Sequence, residues 1–372
     1  MKIPATKPYF GQEDVAYILE KFKNILEGKS FLTQYKYCEE FERRFAGYTG
    51  SKFAVTTNSG TAALEIIFRA LGCKGFDVIV PTNTFAATAF AVINAGGRPI
   101  FADCTDDLTV DPEDVKKKIS DKTKAIVTVH IGGIVSPRTK ELVELSEEND
   151  IYLVEDAAHA HGSMLDNKKA GTFGIAGAFS FFSTKVMTTG EGGMIVTDDE
   201  ELYRKSMILR DQAKTKKGNY QNYHEELGYN WRMTEVQALM GLTQLNNLEG
   251  FIKRRNEIAR IYDEELGDCP NLSILETPTN VRRNYYKYIA FLENYNRDKL
   301  YEELKTKGVS MGGYVYEIPL HLQPAFKEFS EGRGSLSVSE DLCSRHICPP
   351  IYYTMTDEEA IYVAESIREC LR

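Results

Sequence analysis

One lysine stands between an apolar run and a glycine-rich loop, at a position that suits covalent chemistry. Lys185 follows the apolar and hydroxyl residues 179–184 and precedes the loop 188–193. A buried strand that ends beside a lysine keeps water from the amine, which can then be uncharged and nucleophilic near neutral pH. Such an amine can form a Schiff base with an aldehyde cofactor. The alternative is a surface lysine that simply follows a strand, so the upstream residues decide between the two.

A carboxylate stands at the end of a second apolar run. Residues 151–154 predict a fully buried strand, and Asp156 lies where that strand gives way to small residues. Ligands of open α/β sheets bind at this carboxyl edge. A carboxylate there can pair with the protonated ring nitrogen of pyridoxal phosphate, because a protonated pyridine is the better electron sink. Taken alone, Asp156 could equally be the N-cap of a helix.

The third element is the start of a predicted helix. Ser59, Gly60 and Thr61 follow the strand-like residues 53–56 and open an amphipathic helix. The free amides and the positive end of the helix dipole can hold a phosphate, and Gly60 allows close backbone approach. No lysine follows in the Walker A pattern, so a nucleoside triphosphate is not expected. Many helices begin with Ser or Thr merely as a cap, which is the alternative for this motif alone.

Together, in this order and spacing, the three elements resemble the DegT/DnrJ/EryC1/StrS family of sugar aminotransferases, pyridoxal-phosphate enzymes of fold type I. The resemblance extends over nearly the whole chain, through motifs at 59–64, 81–85, 155–158, 184–185, 228–235, 319–324 and 356–359. It implies an α/β fold whose large domain, residues 1–250, has a mostly parallel seven-stranded sheet between helices. A smaller α+β domain would follow at residues 251–372. It also implies pyridoxal 5'-phosphate as the cofactor and a homodimer with shared active sites.

The resemblance implies a role for each matching position. Lys185 would bind the cofactor covalently and move a proton during catalysis, while Asp156 would face the pyridine nitrogen. The other residues expected to hold the cofactor are Gly60, Thr61, Phe85, His159, Ser180 and Asn230. The residues expected to contact a substrate are Glu191, Arg232, Tyr316 and His321.

Three of these positions need comment. Phe85 stands where the family usually has Trp or Tyr against the cofactor ring. A phenyl ring should still stack on the cofactor, but it lacks the polar group of Trp or Tyr. His159 stands where the family usually has Gln near the ring oxygen, and imidazole can also donate a hydrogen bond to that oxygen. Asn230 lies in the segment from which a neighbouring subunit reaches the phosphate, and Arg232 is the alternative residue for this role.

The activity that the resemblance implies is a ping-pong transfer of an amino group to a nucleotide-linked keto-sugar, with 4-keto-6-deoxy or 3-keto sugars as the candidates. The expected amino donor is an amino acid, L-glutamate. The product would serve surface polysaccharide, such as lipopolysaccharide O-antigen, or a secondary metabolite. One alternative is a sugar dehydratase of the same family, but that group has a histidine in place of Lys185. A non-catalytic regulatory protein is the other, and the intact Lys185, Asp156 and phosphate loop disfavour it.

Composition limits the remaining possibilities. The net charge of −9 argues against nucleic acid as a general partner. Seven cysteines without a C-x-x-C motif, together with the lack of a signal peptide, favour a reducing cytoplasm. No apolar run is long enough to span a bilayer, so membrane residence is not expected. His159 and His161 have no cysteine or acidic ligand set nearby, so no metal is expected.

Apolar runs that alternate with helical patterns predict the sheet independently. The predicted strands are 53–56, 78–81, 99–103, 125–129, 152–155, 178–182 and 194–197. The predicted helices of the first part are 14–27, 37–47, 84–94, 112–119 and 139–148. Residues 233–265 predict long helices with a break at Gly250, followed by a strand at 285–292 and helices at 297–307 and 357–371. Such alternation is typical of a mostly parallel sheet with helices on both faces.

Overall fold

The computed structural model describes residues 1–330 and 335–372. Its central feature is a seven-stranded sheet with the strand order β1-β9-β8-β5-β4-β2-β3. These strands are β1 (Phe53–Thr57), β2 (Asp77–Pro81), β3 (Arg98–Ala102), β4 (Thr123–Val129), β5 (Tyr152–Asp156), β8 (Ala176–Ser180) and β9 (Gly193–Thr197). Only β9 runs antiparallel to its two neighbours, β1 and β8. The predicted mostly parallel sheet of seven strands is therefore confirmed.

Helices cover both faces of this sheet, which explains why its strands are apolar almost throughout. All five residues of β2 and all five of β9 are buried. The helices of this part of the chain are α1 (Gln12–Asn24), α2 (Lys36–Thr49), α3 (Gly60–Ala70), α4 (Ala86–Asn94), α5 (Pro112–Lys118), α6 (Thr139–Glu148) and α7 (Glu200–Arg210). Two small antiparallel sheets complete it. β6 (Met164–Leu165) pairs with β7 (Lys168–Lys169) and also with a third strand from the C-terminal part, and β10 (Lys214–Lys217) pairs with β11 (Tyr220–His224).

Helix α8 (Glu235–Leu266) is one continuous helix of 32 residues, so the predicted break at Gly250 is wrong. A solvent-exposed glycine inside a helix costs about 1 kcal/mol relative to alanine. Leu248, Phe251 and Ile252 are buried on either side of it, and burying each such side chain contributes roughly 1.5–3 kcal/mol. Packing therefore outweighs the local preference of Gly250.

The C-terminal part is a small α+β unit that packs on the second half of α8. Its elements are β12 (Leu272–Ile274), β13 (Val281–Arg282), β14 (Ala290–Leu292), α9 (Arg297–Thr306), α10 (Lys327–Ser330), α11 (Ser337–Arg345), β15 (His346–Ile347) and α12 (Asp357–Leu371). The predicted strand 285–292 is too long, because Tyr285 has a φ of 47°, outside the strand region.

Helix α8 joins the two parts. Its first half packs into a core with Phe41 and Phe181, whereas Ile258 and Tyr262 of its second half belong to the C-terminal core. The predicted division between residues 250 and 251 falls inside this helix and stays a prediction. Within the described residues, no helix combines the length and the apolar character that crossing a membrane requires.

Candidate active site

A cavity of about 430 Å³ lies at the carboxyl end of β5 and β8. Most of the predicted site residues line it: Gly60, Thr61, Phe85, Asp156, His159, Ser180, Lys185, Glu191 and Tyr316. Parallel strands deliver their carboxyl ends to one edge of a sheet, which is why residues so distant in sequence meet there.

Lys185 lies in the turn that follows β8. Its amide donates to the carbonyl of Phe182 at 2.9 Å, and its Nζ lies 4.7 Å from the centre of the Tyr286 ring. Burial lowers the pKa of Lys185 to about 7; the charge of Asp156 opposes this shift, and that of Lys287 reinforces it. A substantial fraction of the amine is therefore uncharged near neutral pH, as attack on an aldehyde requires.

Asp156 is the last residue of β5, and its carboxylate is held from two sides. Oδ2 accepts a hydrogen bond from the Thr88 hydroxyl at 2.7 Å, and Oδ1 accepts one from the Ala158 amide at 3.2 Å. Burial raises the pKa of Asp156, although these two bonds oppose the shift. Residues 157–163 form turns, so Asp156 does not cap a helix. Each oxygen keeps a lone pair that can accept from a protonated ring nitrogen.

A buried hydrogen-bonded pair of a histidine and a glutamate lies behind Asp156, and sequence reasoning missed it. His130 Nε2 and Glu155 Oε2 are 2.8 Å apart. Glu155 also accepts hydrogen bonds from the amides of Gly171 and Gly174, at 2.7 and 2.8 Å. Because alternate residues of a strand point to opposite faces, Glu155 points away from the face of Asp156. It fixes the end of β5 from the other side of the sheet.

The start of α3 lies against the end of β8. Ser59 caps the helix by accepting from the Ala62 amide at 3.1 Å, and the amides of Gly60 and Thr61 have no intrahelical partner. A Cβ on Gly60 would lie only 2.8 Å from the Ser180 Cβ, so this approach requires glycine. The helix N-terminus and the hydroxyls of Thr61 and Ser180 thus face one end of the cavity, an arrangement that fits a phosphate.

The hydrogen bonds of His159 define its tautomer. The Gly132 amide donates to its Nδ1 at 3.3 Å, so the ring proton of a neutral imidazole is on Nε2, which lies 3.5 Å from the Tyr316 hydroxyl. Burial holds the pKa of His159 well below its usual value, and the charge of Lys185 adds to the effect. The imidazole is therefore neutral, with one N–H to donate, as contact with a ring oxygen would need.

Phe85 and Glu191 lie on the open side of the cavity. The Phe85 side chain is 62% exposed, and its ring centre is 6.4 Å from that of Tyr316. Glu191 is also exposed. Both residues are placed where an incoming ligand would meet them first.

Three predicted site residues do not line the cavity of this chain. Asn230 is exposed, and its carbonyl accepts from Asn58 Nδ2 at 3.2 Å. Arg232 pairs with Asp211. The ring of His321 bonds Thr82 at 2.7 Å and Glu340 at 3.1 Å. The predicted roles of Asn230, Arg232 and His321 stay predictions.

Several side chains at the cavity carried no motif in the sequence. Tyr286, Lys287 and Tyr314 line it from irregular backbone, and Thr88 supports Asp156 from α4. Thr88 lies in the predicted helix 84–94, but nothing in that pattern distinguishes it from its neighbours. No periodic pattern marks the other three.

The residues present fit pyridoxal phosphate in kind and in placement. A largely desolvated amine, a buried carboxylate and a glycine-dependent phosphate cradle meet in one cavity. Within the described ranges, no group of three or more His, Cys, Asp and Glu side chains is arranged to hold a metal ion.

Comparison with known proteins identifies the family. Residues 12–368 match the DegT/DnrJ/EryC1/StrS aminotransferase family. The chain is 33% identical over 370 residues to the GDP-perosamine synthase of Escherichia coli O157:H7, covering 99% of this chain and 98% of that protein. PseC of Helicobacter pylori, an aminotransferase of pseudaminic acid biosynthesis, superposes with a TM-score of 0.92 at 28% identity, covering 100% of this chain and 99% of PseC. The PLP form of Spr1654 from Streptococcus pneumoniae also gives a TM-score of 0.92, at 27% identity, covering 100% and 98% of the two chains. The protein therefore belongs to the DegT/DnrJ/EryC1/StrS family and is a pyridoxal-phosphate-dependent aminotransferase.

Proposed function

We propose that this enzyme moves an amino group from L-glutamate to a nucleotide-linked keto-sugar, either a 4-keto-6-deoxy sugar or a 3-keto sugar. The observation that carries the proposal is Lys185, whose largely desolvated amine shares one cavity with Asp156 and the phosphate cradle. The GDP-perosamine synthase relative supports a nucleotide-linked sugar as the acceptor. The product would be an amino sugar for surface polysaccharide.

Different residues of the site bind the cofactor, stabilise its ring and transfer protons. When bound, pyridoxal phosphate supplies an electron sink and carries the nitrogen between the two half-reactions. In the proposal, Gly60, Thr61 and Ser180 hold its phosphate, and Asp156 keeps its ring nitrogen protonated. Lys185 shuttles one proton at a time between its amine and the reacting carbon, which general acid–base catalysis by a lysine of lowered pKa permits.

A single experiment distinguishes this function from the dehydratase alternative. The purified protein, loaded with pyridoxal phosphate, is expected to change its visible absorption on addition of L-glutamate and to release 2-oxoglutarate. A GDP- or UDP-linked 4-keto-6-deoxy sugar, or a 3-keto sugar, should then restore the first spectrum and yield an amino sugar by mass spectrometry. Loss of water from the sugar, with no nitrogen gained, would instead identify a dehydratase.

We also propose that the active site is completed by a second copy of the chain. Phe31 and Leu32 are 68% and 61% exposed, and Leu227 is 79% exposed. The Leu32 carbonyl accepts from the amide at the start of α8, so these apolar side chains lie near the segment that carries Asn230. Exposed apolar patches of this kind favour an interface. Asn230 would then reach the phosphate in the neighbouring subunit.

Subunit mixing tests the shared site. Lys185→Ala should be inactive, and Asn230→Asp should be impaired because its carboxylate would repel a phosphate. In a hybrid dimer, one site would combine the intact Lys185 of one subunit with the intact Asn230 of the other. Co-refolding the two variants should give activity well above the sum of the separate proteins. Activity no greater than that sum would place each site within one chain.

A further inference from the structure

A second lysine lies beside Lys185 in the cavity. Lys287 lines it from the irregular segment before β14, and its Nζ donates to the carbonyl of Gly312. Both amines lie near the Tyr286 ring: its centre is 4.7 Å from the Nζ of Lys185 and 5.4 Å from the Nζ of Lys287. Both amines therefore border the space where a substrate bound at Lys185 would lie.

Among the residues that the structure describes, Lys287 has no acidic partner. Among the described residues that line the cavity, the cations are Lys185 and Lys287, and the acids are Asp156 and Glu191. Lys287 forms no ion pair with any carboxylate in residues 1–330 or 335–372, and only a neutral carbonyl accepts from its Nζ. Burial lowers the pKa of Lys287. A partly buried cation without a counter-ion is costly, and an anionic ligand removes that cost.

The chemistry at Lys185 identifies which ligand brings the anion. In an amino acid, the carbon that carries the transferred nitrogen also carries the α-carboxylate, one bond away. In a keto-sugar, the carbons next to the reacting carbon are neutral, and the diphosphate is attached several bonds away at another carbon. Lys287 lies near the same Tyr286 ring as Lys185. It is therefore placed to bind the α-carboxylate of the amino donor rather than the diphosphate of the sugar.

We propose that Lys287 binds the α-carboxylate of the amino donor and so positions it at Lys185 for the first half-reaction. This inference rests on the proposed function and adds to it the group that recognises the donor. Lys287 is a positioning residue, because its partner is the carboxylate and not the carbon that reacts. It would leave the second half-reaction, in which the sugar accepts the nitrogen, largely unaffected.

The test pairs a protein change with a ligand change. Lys287→Gln removes the charge, and L-isoglutamine replaces the α-carboxylate of L-glutamate by a neutral amide. Stopped-flow absorption measures the half-saturating concentration of each ligand in the first half-reaction. The wild-type protein should prefer L-glutamate over L-isoglutamine by on the order of tenfold or more, as expected for a hydrogen bond to a charged group. Lys287→Gln should lose this preference and leave the second half-reaction unchanged.

Lys169→Gln is the matched control, because the Nζ of Lys169 also donates to a backbone carbonyl, that of Tyr48, and lies 4.4 Å from the centre of an aromatic ring outside the cavity. It should keep the wild-type preference. Lys287→Arg should also keep the preference for L-glutamate over L-isoglutamine, since it retains the charge. If Lys287→Gln fails to bind the cofactor, Lys287→Arg becomes the deciding variant. A folded Lys287→Arg protein that loses the preference would then count against the inference.

Other outcomes distinguish a wrong role for Lys287 from a wrong overall function. If Lys287→Gln keeps the preference, or loses only the preference for L-glutamate over L-glutamine, the α-carboxylate assignment is wrong. If it instead weakens only the use of a GDP-linked 4-keto-6-deoxy sugar, Lys287 serves the acceptor and the inference is also wrong. A wild-type protein that reacts with none of L-glutamate, L-glutamine, L-aspartate and L-alanine would overturn the proposed function itself.

Discussion

Replacing Lys185 by alanine is expected to lower the rate of amino transfer by about 10³-fold or more while the protein stays folded. The change removes both the amine that binds the cofactor and the base that moves the proton. Lys287 is the other amine at the described cavity lining, but its Nζ donates a hydrogen bond to the Gly312 carbonyl. It cannot take over both tasks.

Steady-state assay with L-glutamate and a keto-sugar measures this loss, and thermal unfolding checks the fold. Lys169→Ala serves as the control, because it removes a partly buried lysine outside the cavity. Added methylamine should restore part of the activity of Lys185→Ala, since a free amine can enter the space that the side chain leaves. Wild-type turnover in Lys185→Ala would show that the assignment of this lysine is wrong.

Replacing Asp156 by asparagine is expected to lower the rate on the order of 10²–10³-fold, the usual effect of removing one preorganised electrostatic group. Asparagine has nearly the shape of aspartate and can keep contacts to Thr88 and to the Ala158 amide. It carries no negative charge, so it cannot hold a proton on a pyridine nitrogen. The cofactor should still bind, with an altered absorption spectrum.

A milder change tests the same carboxylate. Thr88→Val removes the hydroxyl that donates to Asp156 at 2.7 Å but leaves the charge in place. Its rate should lie between those of the wild-type protein and Asp156→Asn, with the wild-type spectrum largely preserved. Equal rates for Asp156→Asn and the wild-type protein would mean that this carboxylate does not support the ring nitrogen.

The sequence predicted the central sheet well because its strands are short, buried on both faces and separated by amphipathic helices. Each of the seven predicted strands overlaps an observed one with ends that differ by no more than two residues. Gly250 was misread because a local helix preference cannot reveal how much side-chain burial lies on either side. The strand at 285–292 was overextended because nothing in its apolar composition reveals the positive φ of Tyr285.

Some residues of the cavity could likewise be predicted from the sequence, whereas others could not. Gly60, Asp156 and Lys185 each follow a recognisable strand, so their meeting at one sheet edge could be predicted from local patterns. Tyr286 and Lys287 come from irregular backbone, whose path depends on packing between the C-terminal part and the sheet. Their place beside Lys185 could not be predicted without the folded chain.

The unbroken helix α8 limits how this enzyme can admit its substrates. Because one continuous helix is buried in both hydrophobic cores, a hinge rotation of the C-terminal part about Gly250 would disrupt both of them. Side chains at the rim of the cavity, such as the exposed Phe85 ring, are the groups that can move without displacing this helix. Lys185 of the sheet part and Lys287 of the C-terminal part should therefore keep their relative positions while substrates exchange.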